Sequence, residues 1–252
     1  MVFNEISIMR TLSHPFICKL FEVFESENSL YLILELADGG DLFTRLAERS
    51  SLTEEMISLV LSNILITIQY LHSQGIIHRD LKPQNILIKS LREDFDIRII
   101  DFGLSMKKPE NPGNLVICGT PGFIAPEVFS NNSYSFDGKS DVFSIGVMFF
   151  IMLTGESPFE GKNRGERLEK NRKCEIDFEK TRTCSKKARI LLRKMLDFDP
   201  KQRLSAKECL ESDFFLIENK ENIEEKYLEE GVFKNMKKFI EFSINFLYFS
   251  RF

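Results

Sequence analysis

Cysteine is sparse in this 252-residue chain and is not placed to cross-link it. The five thiols, Cys18, Cys118, Cys174, Cys184 and Cys209, are odd in number and show no Cys-x-x-Cys spacing, which argues against a disulfide framework or a zinc site. A reducing, cytoplasmic setting is the expectation. No charge of one sign dominates: 34 Lys and Arg stand against 38 Asp and Glu, a net charge of −4, so nothing draws the chain as a whole toward nucleic acid or an anionic membrane. The basic residues between Lys162 and Lys173 read as a solvated loop and helix face. The amino terminus has no basic stretch followed by an apolar stretch and a cleavage site, and does not read as a signal peptide. The apolar run 242–250 is far shorter than the roughly 18 residues a bilayer span needs. No D-x-[DN]-x-[DN]-G loop occurs, so these residues contain no calcium-binding hand. Internal repeats, low-complexity tracts and nucleic-acid motifs are absent as well.

The composition, 43% hydrophobic and 29% charged, fits one large globular domain or two small ones. Two stretches carry chemistry: Ile77-His78-Arg79-Asp80-Leu81-Lys82-Pro83-Gln84-Asn85, and Asp101-Phe102-Gly103. Phosphoryl transfer needs an acceptor for a hydroxyl proton, a positive group near the moving phosphate, and hard oxygen ligands for Mg²⁺. Asp80, Lys82, Asn85 and Asp101 supply that set. Taken singly, Asp80 and Asn85 would serve equally well to tie down a tight loop. Their register with the second motif favours the chemical reading.

These residues resemble the protein kinase superfamily, whose catalytic loop reads H-R-D-x-x-x-x-N and whose metal loop reads D-F-G. The lysine two places after the aspartate is the serine/threonine form. The resemblance implies that Asp80 orients and deprotonates a substrate hydroxyl, Lys82 steadies the γ-phosphate of ATP, and Asn85 and Asp101 hold Mg²⁺. His78 and Phe102 become packing residues of a hydrophobic spine. The fold implied is α+β: a mostly helical large lobe at 37–218, a remnant of the small lobe at 1–36, and a tail at 219–252.

Other positions fall into the same register. Leu34 matches the gatekeeper, Glu35 and Leu36 the backbone that meets adenine, Asp41 the acid that meets the ribose, and Leu87 the floor beneath adenine. Each has a plainer reading too, since an apolar strand residue is usually core and Asp41 can simply cap the helix after it. Gly119-Thr120-Pro121-Gly122-Phe123-Ile124-Ala125-Pro126-Glu127 resembles the loop that receives the substrate, with Thr120 contacting the catalytic Asp and Lys. Glu127 would pair with Arg203, and Asp141, on an apolar helix expected to be capped, would hold the catalytic-loop backbone. Relatives often carry a phosphorylatable residue before this threonine, its phosphate meeting the arginine matched by Arg79. Here Leu115-Val116-Ile117-Cys118 has no hydroxyl, so ordering by such a contact is not expected.

The first ten residues read as a helix with Phe3, Ile6 and Met9 or Arg10 on one stripe, matching the helix whose glutamate, here Glu5, pairs with a strand lysine. As a plainer alternative, Glu5 is an ordinary first-turn acid. Apolar runs at 17–24 and 30–36 read as two strands, and Thr53 to His72 as a long amphipathic helix. Residues 1–252 contain neither a Gly-x-Gly-x-x-Gly hairpin nor a Val-Ala-x-Lys strand, so on their own they are expected to bind ATP poorly. That leaves three alternatives open: a kinase, a pseudokinase or binding module without turnover, and an incomplete gene product.

His14-Pro15, Gly39-Gly40-Asp41-Leu42-Phe43 and Pro158-Phe159 resemble the calcium/calmodulin-regulated branch, especially calcium-dependent protein kinases. Asn235-Met236-Lys237-Lys238-Phe239 resembles the start of their autoinhibitory helix, and a stripe of Val232, Phe233, Met236, Phe239 and Ile240 would lay it on the large lobe. A protein substrate with a Ser or Thr acceptor and a calcium sensor in trans are the partners this implies. Gln84 stands where basophilic relatives carry Glu, which predicts a weakened preference for arginine close before the acceptor.

Overall fold

The computed structural model describes residues 2–49, 52–91, 93–108, 117–130, 137–216 and 230–249. Ile6, Ile8 and Met9 bury one side of helix α1 (Val2–Met9), which ends ahead of His14-Pro15 because proline disfavours helix before it. Phe3, expected on that stripe, is 74% exposed, because only the carboxy-terminal half of α1 meets the core. The hairpin β1 (Leu20–Ser26) and β2 (Ser29–Leu34) follows, turning through Glu27-Asn28 with Ser26 opposite Ser29. β1 starts later than its apolar run because residues 16–18 are claimed elsewhere. Ile17 bridges Ile99 in parallel, and the Cys18 N–H donates to the Ile99 carbonyl at 3.0 Å.

Asp41 caps α2 (Leu42–Ala47). Thr53 caps α3 (Glu54–Ser73), its hydroxyl accepting the Met56 N–H at 3.2 Å. By length and composition α3 could cross a membrane. Its apolar face is nevertheless spent inside the protein: Ile57, Val60, Leu61, Ile64, Leu65, Ile68 and Leu71 are fully buried. The strands β3 (Ile76–Ile77), β4 (Ile86–Ser90), β5 (Glu93–Ile99) and β6 (Met106–Lys107) frame the two motifs. β4 pairs antiparallel with β5, Leu87 opposite Arg98, and β3 pairs with β6, Ile77 opposite Met106. The loop 78–85 thus hangs between β3 and β4, and Asp101-Phe102-Gly103 between β5 and β6.

Helix α4 (Lys139–Thr154) is buried from Ser140 to its end, as its nearly all-apolar sequence requires. No side chain of its own caps it. Gly138 begins it, where a Cβ would run into the His72 ring, and Asp137 Oδ1 accepts the Lys139 N–H at 3.0 Å instead. The remaining helices are α5 (Arg164–Lys173), α6 (Lys186–Met195), α7 (Ala206–Leu210) and α8 (Glu230–Phe249). α8 lies back over α2 and α4, burying Val232, Met236 and Phe239. The Phe233 side chain and residues 250–252 lie outside the described residues. The five cysteines are free thiols. The result is the α+β arrangement implied by the resemblance, a helical body with α1 and the β1–β2 hairpin at one end.

Candidate active site

The loop 78–85 is anchored from below by one buried carboxylate. Asp141, 1% exposed on α4, accepts the His78 N–H through Oδ2 and the Arg79 N–H through Oδ1, both at 2.9 Å. His72 Nε2 sits 2.9 Å from Oδ2. Burial pushes this carboxyl upward, but the His72 hydrogen bond, the His72 and His78 charges and the His78 amide outweigh it and hold the group below the ordinary carboxylate range. These bonds force an unusual backbone: Arg79 has φ 68°. A non-glycine residue in the left-handed region is strained and persists only where its surroundings fix it. His78 is fully buried, its ring 5.2 Å from that of Phe102 and its Nε2 3.2 Å from the Ile100 carbonyl.

Above that anchor the polar side chains converge. Lys82 Nζ lies 2.6 Å from Asp80 Oδ2 and 3.2 Å from Thr120 Oγ1, and the Thr120 hydroxyl donates to Asp80 Oδ1 at 2.7 Å. Thr120 arrives from a loop 40 residues further along the chain. Asn85 Nδ2 donates to the Asp80 carbonyl at 2.9 Å, which fixes the amide and turns its oxygen away as an acceptor. The cluster is able to hold a carboxylate against a hydroxyl with a cation alongside.

Asp101 is brought beside this cluster with φ 63° and an exposed carboxylate, whose Oδ1 accepts the Gly103 N–H at 3.2 Å. A Cβ on Gly103 would lie 3.1 Å from that oxygen. Glu5 reaches the same place from α1, with Oε2 3.7 Å from that Cβ position. Burial first, and then the Asp101 charge, push the Glu5 carboxyl up, against a backbone hydrogen bond at Phe102. Asn85 and Asp101 together offer two hard oxygen donors. That fits Mg²⁺, which is bound by one or two protein oxygens with water and phosphate filling the octahedron, and no cluster of three or more metal-binding side chains occurs among the described residues.

The segment 34–41 leads away from this centre. Leu34 and Leu36 are 42% and 79% exposed, and Leu87 is half-buried. Both Asp41 oxygens serve the α2 cap: Oδ1 accepts the Phe43 and Thr44 N–H groups and Oδ2 the Thr44 hydroxyl. A residue the sequence reading missed holds Glu35. Arg98, 5% exposed on β5, donates from Nε to Glu35 Oε1 at 2.7 Å and from Nη1 to Asp96 Oδ1 at 2.5 Å. Its one sequence signal was a lone charge in the apolar stretch Ile97-Arg98-Ile99-Ile100. The Cys18 thiol donates to the Glu35 carbonyl at 3.5 Å.

Glu127 and Arg203 meet through Oε1–Nη1 and Oε2–Nη2 contacts of 2.6 and 2.8 Å. In the segment before Thr120, Leu115 and Val116 lie outside the described residues. The Arg79 guanidinium donates from Nε to the Leu104 carbonyl at 2.7 Å.

Comparison with known proteins identifies the family. Residues 1–215 match the family described as the protein kinase domain. The chain is 40% identical over 210 residues to a probable myosin light chain kinase of Dictyostelium discoideum, covering 82% of this chain and 60% of that protein. It is 41% identical over 211 residues to calcium/calmodulin-dependent protein kinase type 1 of Macrobrachium nipponense, with the same coverage. Against calcium-dependent protein kinase 5 of Plasmodium berghei it is 36% identical over 240 residues, 94% of this chain and 42% of that protein. The chain therefore spans between 42% and 60% of the length of these relatives. With the family match running from the first residue through the end of the helical body, the chain belongs to the protein kinase family.

Proposed function

We propose that these residues carry the phosphotransfer centre of a serine/threonine protein kinase. The observation that carries the reading is the contact of Thr120 Oγ1 with Asp80 Oδ1 at 2.7 Å, beside Lys82. A protein hydroxyl entering the site takes the place of the Thr120 hydroxyl on Asp80, which accepts its proton as the oxygen bonds to the γ-phosphorus of ATP and the bond to the β–γ bridging oxygen breaks, releasing ADP. Lys82, 2.6 Å from Asp80 Oδ2, offers its positive charge to the phosphoryl group in transit. Mg²⁺, when bound, neutralises charge on the phosphates of ATP, and Asn85 and Asp101 are the residues that would hold it. Leu87 supplies an apolar floor for adenine, and the backbone at Glu35 and Leu36 its hydrogen-bonding edge, with Leu34 behind.

Asp141, His78 and Arg79 act by shaping the loop, and Glu127 with Arg203 by tying the substrate loop to the body. Residues 1–36 then form the part of the small lobe present in these residues, and 37–218 the large lobe, with the boundary at 218/219 outside the described residues. The myosin light chain, calmodulin-dependent and calcium-dependent relatives support a place in the calcium-regulated branch, with a calcium sensor as partner in trans. Phosphoamino-acid analysis of a protein phosphorylated by this centre tests the acceptor: phosphoserine and phosphothreonine are expected, and phosphotyrosine alone would overturn the reading.

A further inference from the structure

A cavity of about 620 Å³ opens between the loop after α4, helix α5 and helix α8. Its size falls in the range of small-ligand sites, roughly 300–1,000 Å³. It shares no residue with the Asp80 cluster.

The basic run 162–173, which the sequence reads as a solvated loop and helix face, divides at this cavity. Arg172 and Lys173 are neutralised by Glu169 at 2.8 and 3.4 Å. Arg167 is buried, its aliphatic chain against Gly122. Lys162 and Lys170 line the cavity together with Arg167, and Lys238 joins them from α8. None of these three ammonium groups has a carboxylate within ion-pair distance among the described residues.

Two of the three acids on the same wall, Glu156 and Glu166, are engaged by hydrogen bonds. Glu156 accepts from Lys180 at 2.5 Å and from Asn235 at 2.9 Å, and Glu166 accepts the Lys162 N–H at 2.9 Å. Glu160 lies beside Arg167 and Lys180. A second feature points inward independently of the lysines. Ser157 lines the cavity at 6% exposure, its Oγ accepts the Phe159 N–H at 3.2 Å, and its own proton has no acceptor among the described residues. A hydroxyl proton at the wall of an open cavity is available to an anion oxygen in place of water.

Three exposed lysines from three elements, without an ion-pair partner among the described residues, and a spare hydroxyl donor match an anion with several acceptor oxygens. Lysine binds phosphate as a compact point charge. We propose that this cavity is a binding site for a small phosphate-bearing anion, which bridges α8 to the body of the protein through Lys238 on one side and Lys162 and Lys170 on the other. Occupancy holds α8 in place, because the anion relieves the repulsion between like charges on facing elements.

The test is calorimetric titration of the 252-residue protein with inorganic phosphate and with pyrophosphate, the ionic strength being held constant with chloride. Saturable binding at one site is expected, together with slower hydrogen exchange across 230–249. The triple variant Lys162→Ala/Lys170→Ala/Lys238→Ala should weaken binding by about tenfold or more, since each removes a charge-assisted contact. Ser157→Ala should weaken it less, and Lys82→Ala should leave it unchanged. Glucose 6-phosphate titrated in parallel distinguishes a phosphate ester from free phosphate by which binds tighter. No saturable binding, binding that the triple variant retains in full, or binding lost in Lys82→Ala would each overturn the proposal.

Discussion

Arg203 and Glu127 face each other as a two-pronged ion pair, with side chains 0% and 8% exposed, although 76 residues separate them. Arg203 also donates to the carbonyls of Lys139 and Asp197 and lies over the Phe143 ring at 4.9 Å. It therefore joins the end of the substrate loop, the start of α4 and the turn before α7. Removing one partner strands a buried charge, which costs about 3–5 kcal/mol, whereas replacing both with apolar residues costs much less. Urea denaturation should rank Arg203→Met and Glu127→Leu well below the double variant. Equal losses from single and double variants would contradict the pairing.

Asp141 gives a pH signature. Its carboxyl lies below the ordinary value of 3.8 in the folded protein. A carboxylate depressed by folding contributes stability that is fully present above its unfolded value and is lost as the pH falls through its folded value. Asp141→Asn removes that contribution and leaves one of the two loop amides facing an NH₂ group, a loss of about 1–3 kcal/mol at neutral pH. Thermal melts should show the gap between wild type and variant narrowing once the pH drops below about 4. A gap independent of pH would show that the charge on Asp141 is not what anchors the loop.

The seating of α8 depends on one glycine. Gly155 ends α4 with φ 73°, and a Cβ there would collide with the Val232 carbonyl of α8. Gly155→Ala adds both that clash and roughly 1–2 kcal/mol of left-handed backbone strain. Limited proteolysis should then cut within 230–249 sooner than in the wild type, with the body of the protein intact. Cleavage as slow as in the wild type would mean that α8 does not rest on Gly155.

The proposed function makes Gln84 a test of substrate choice. It is partly exposed on the turn Pro83–Asn85, directly beside the Asp80 cluster, and carries no charge. Asp41, the remaining acid in the reading of the groove, already spends both oxygens on the α2 cap. A peptide array should show weak selection for arginine just before the acceptor, and Gln84→Glu should strengthen it. Strong arginine selection by the unaltered protein would refute this.

The chemistry was legible in the sequence where it is local. Asp80, Lys82 and Asn85 sit within six residues on one loop, so their spacing alone places them together, and the apolar stripe of α3 announced itself by period. Contacts across long separations were legible only through resemblance, as with Arg203 and Glu127. The clamp of Arg98 on Glu35 was not seen, because 63 residues lie between them and a single arginine in a strand has many readings. Period puts Phe3 on one stripe with Ile6, yet Phe3 is exposed, because period reports which residues share a face, not how far along the helix the core extends. The tail stripe was visible in the same way, yet its resting place on α2 and α4 required the fold.

The most direct test of the central claim is phosphate transfer that depends on Asp80. Residues 1–252 contain no glycine-rich loop and no lysine strand, so by themselves they should bind Mg²⁺-ATP weakly and transfer little, as losing even one preorganised donor costs on the order of 10²–10³ in rate. Joined behind such a loop and strand, they should transfer the γ-phosphate of ATP to serine or threonine. Asp80→Asn should then lower kcat by about 10²–10⁴ while the protein stays folded. No transfer from the folded, joined protein, or transfer indifferent to Asp80→Asn, would contradict the account and leave the large lobe as a binding module.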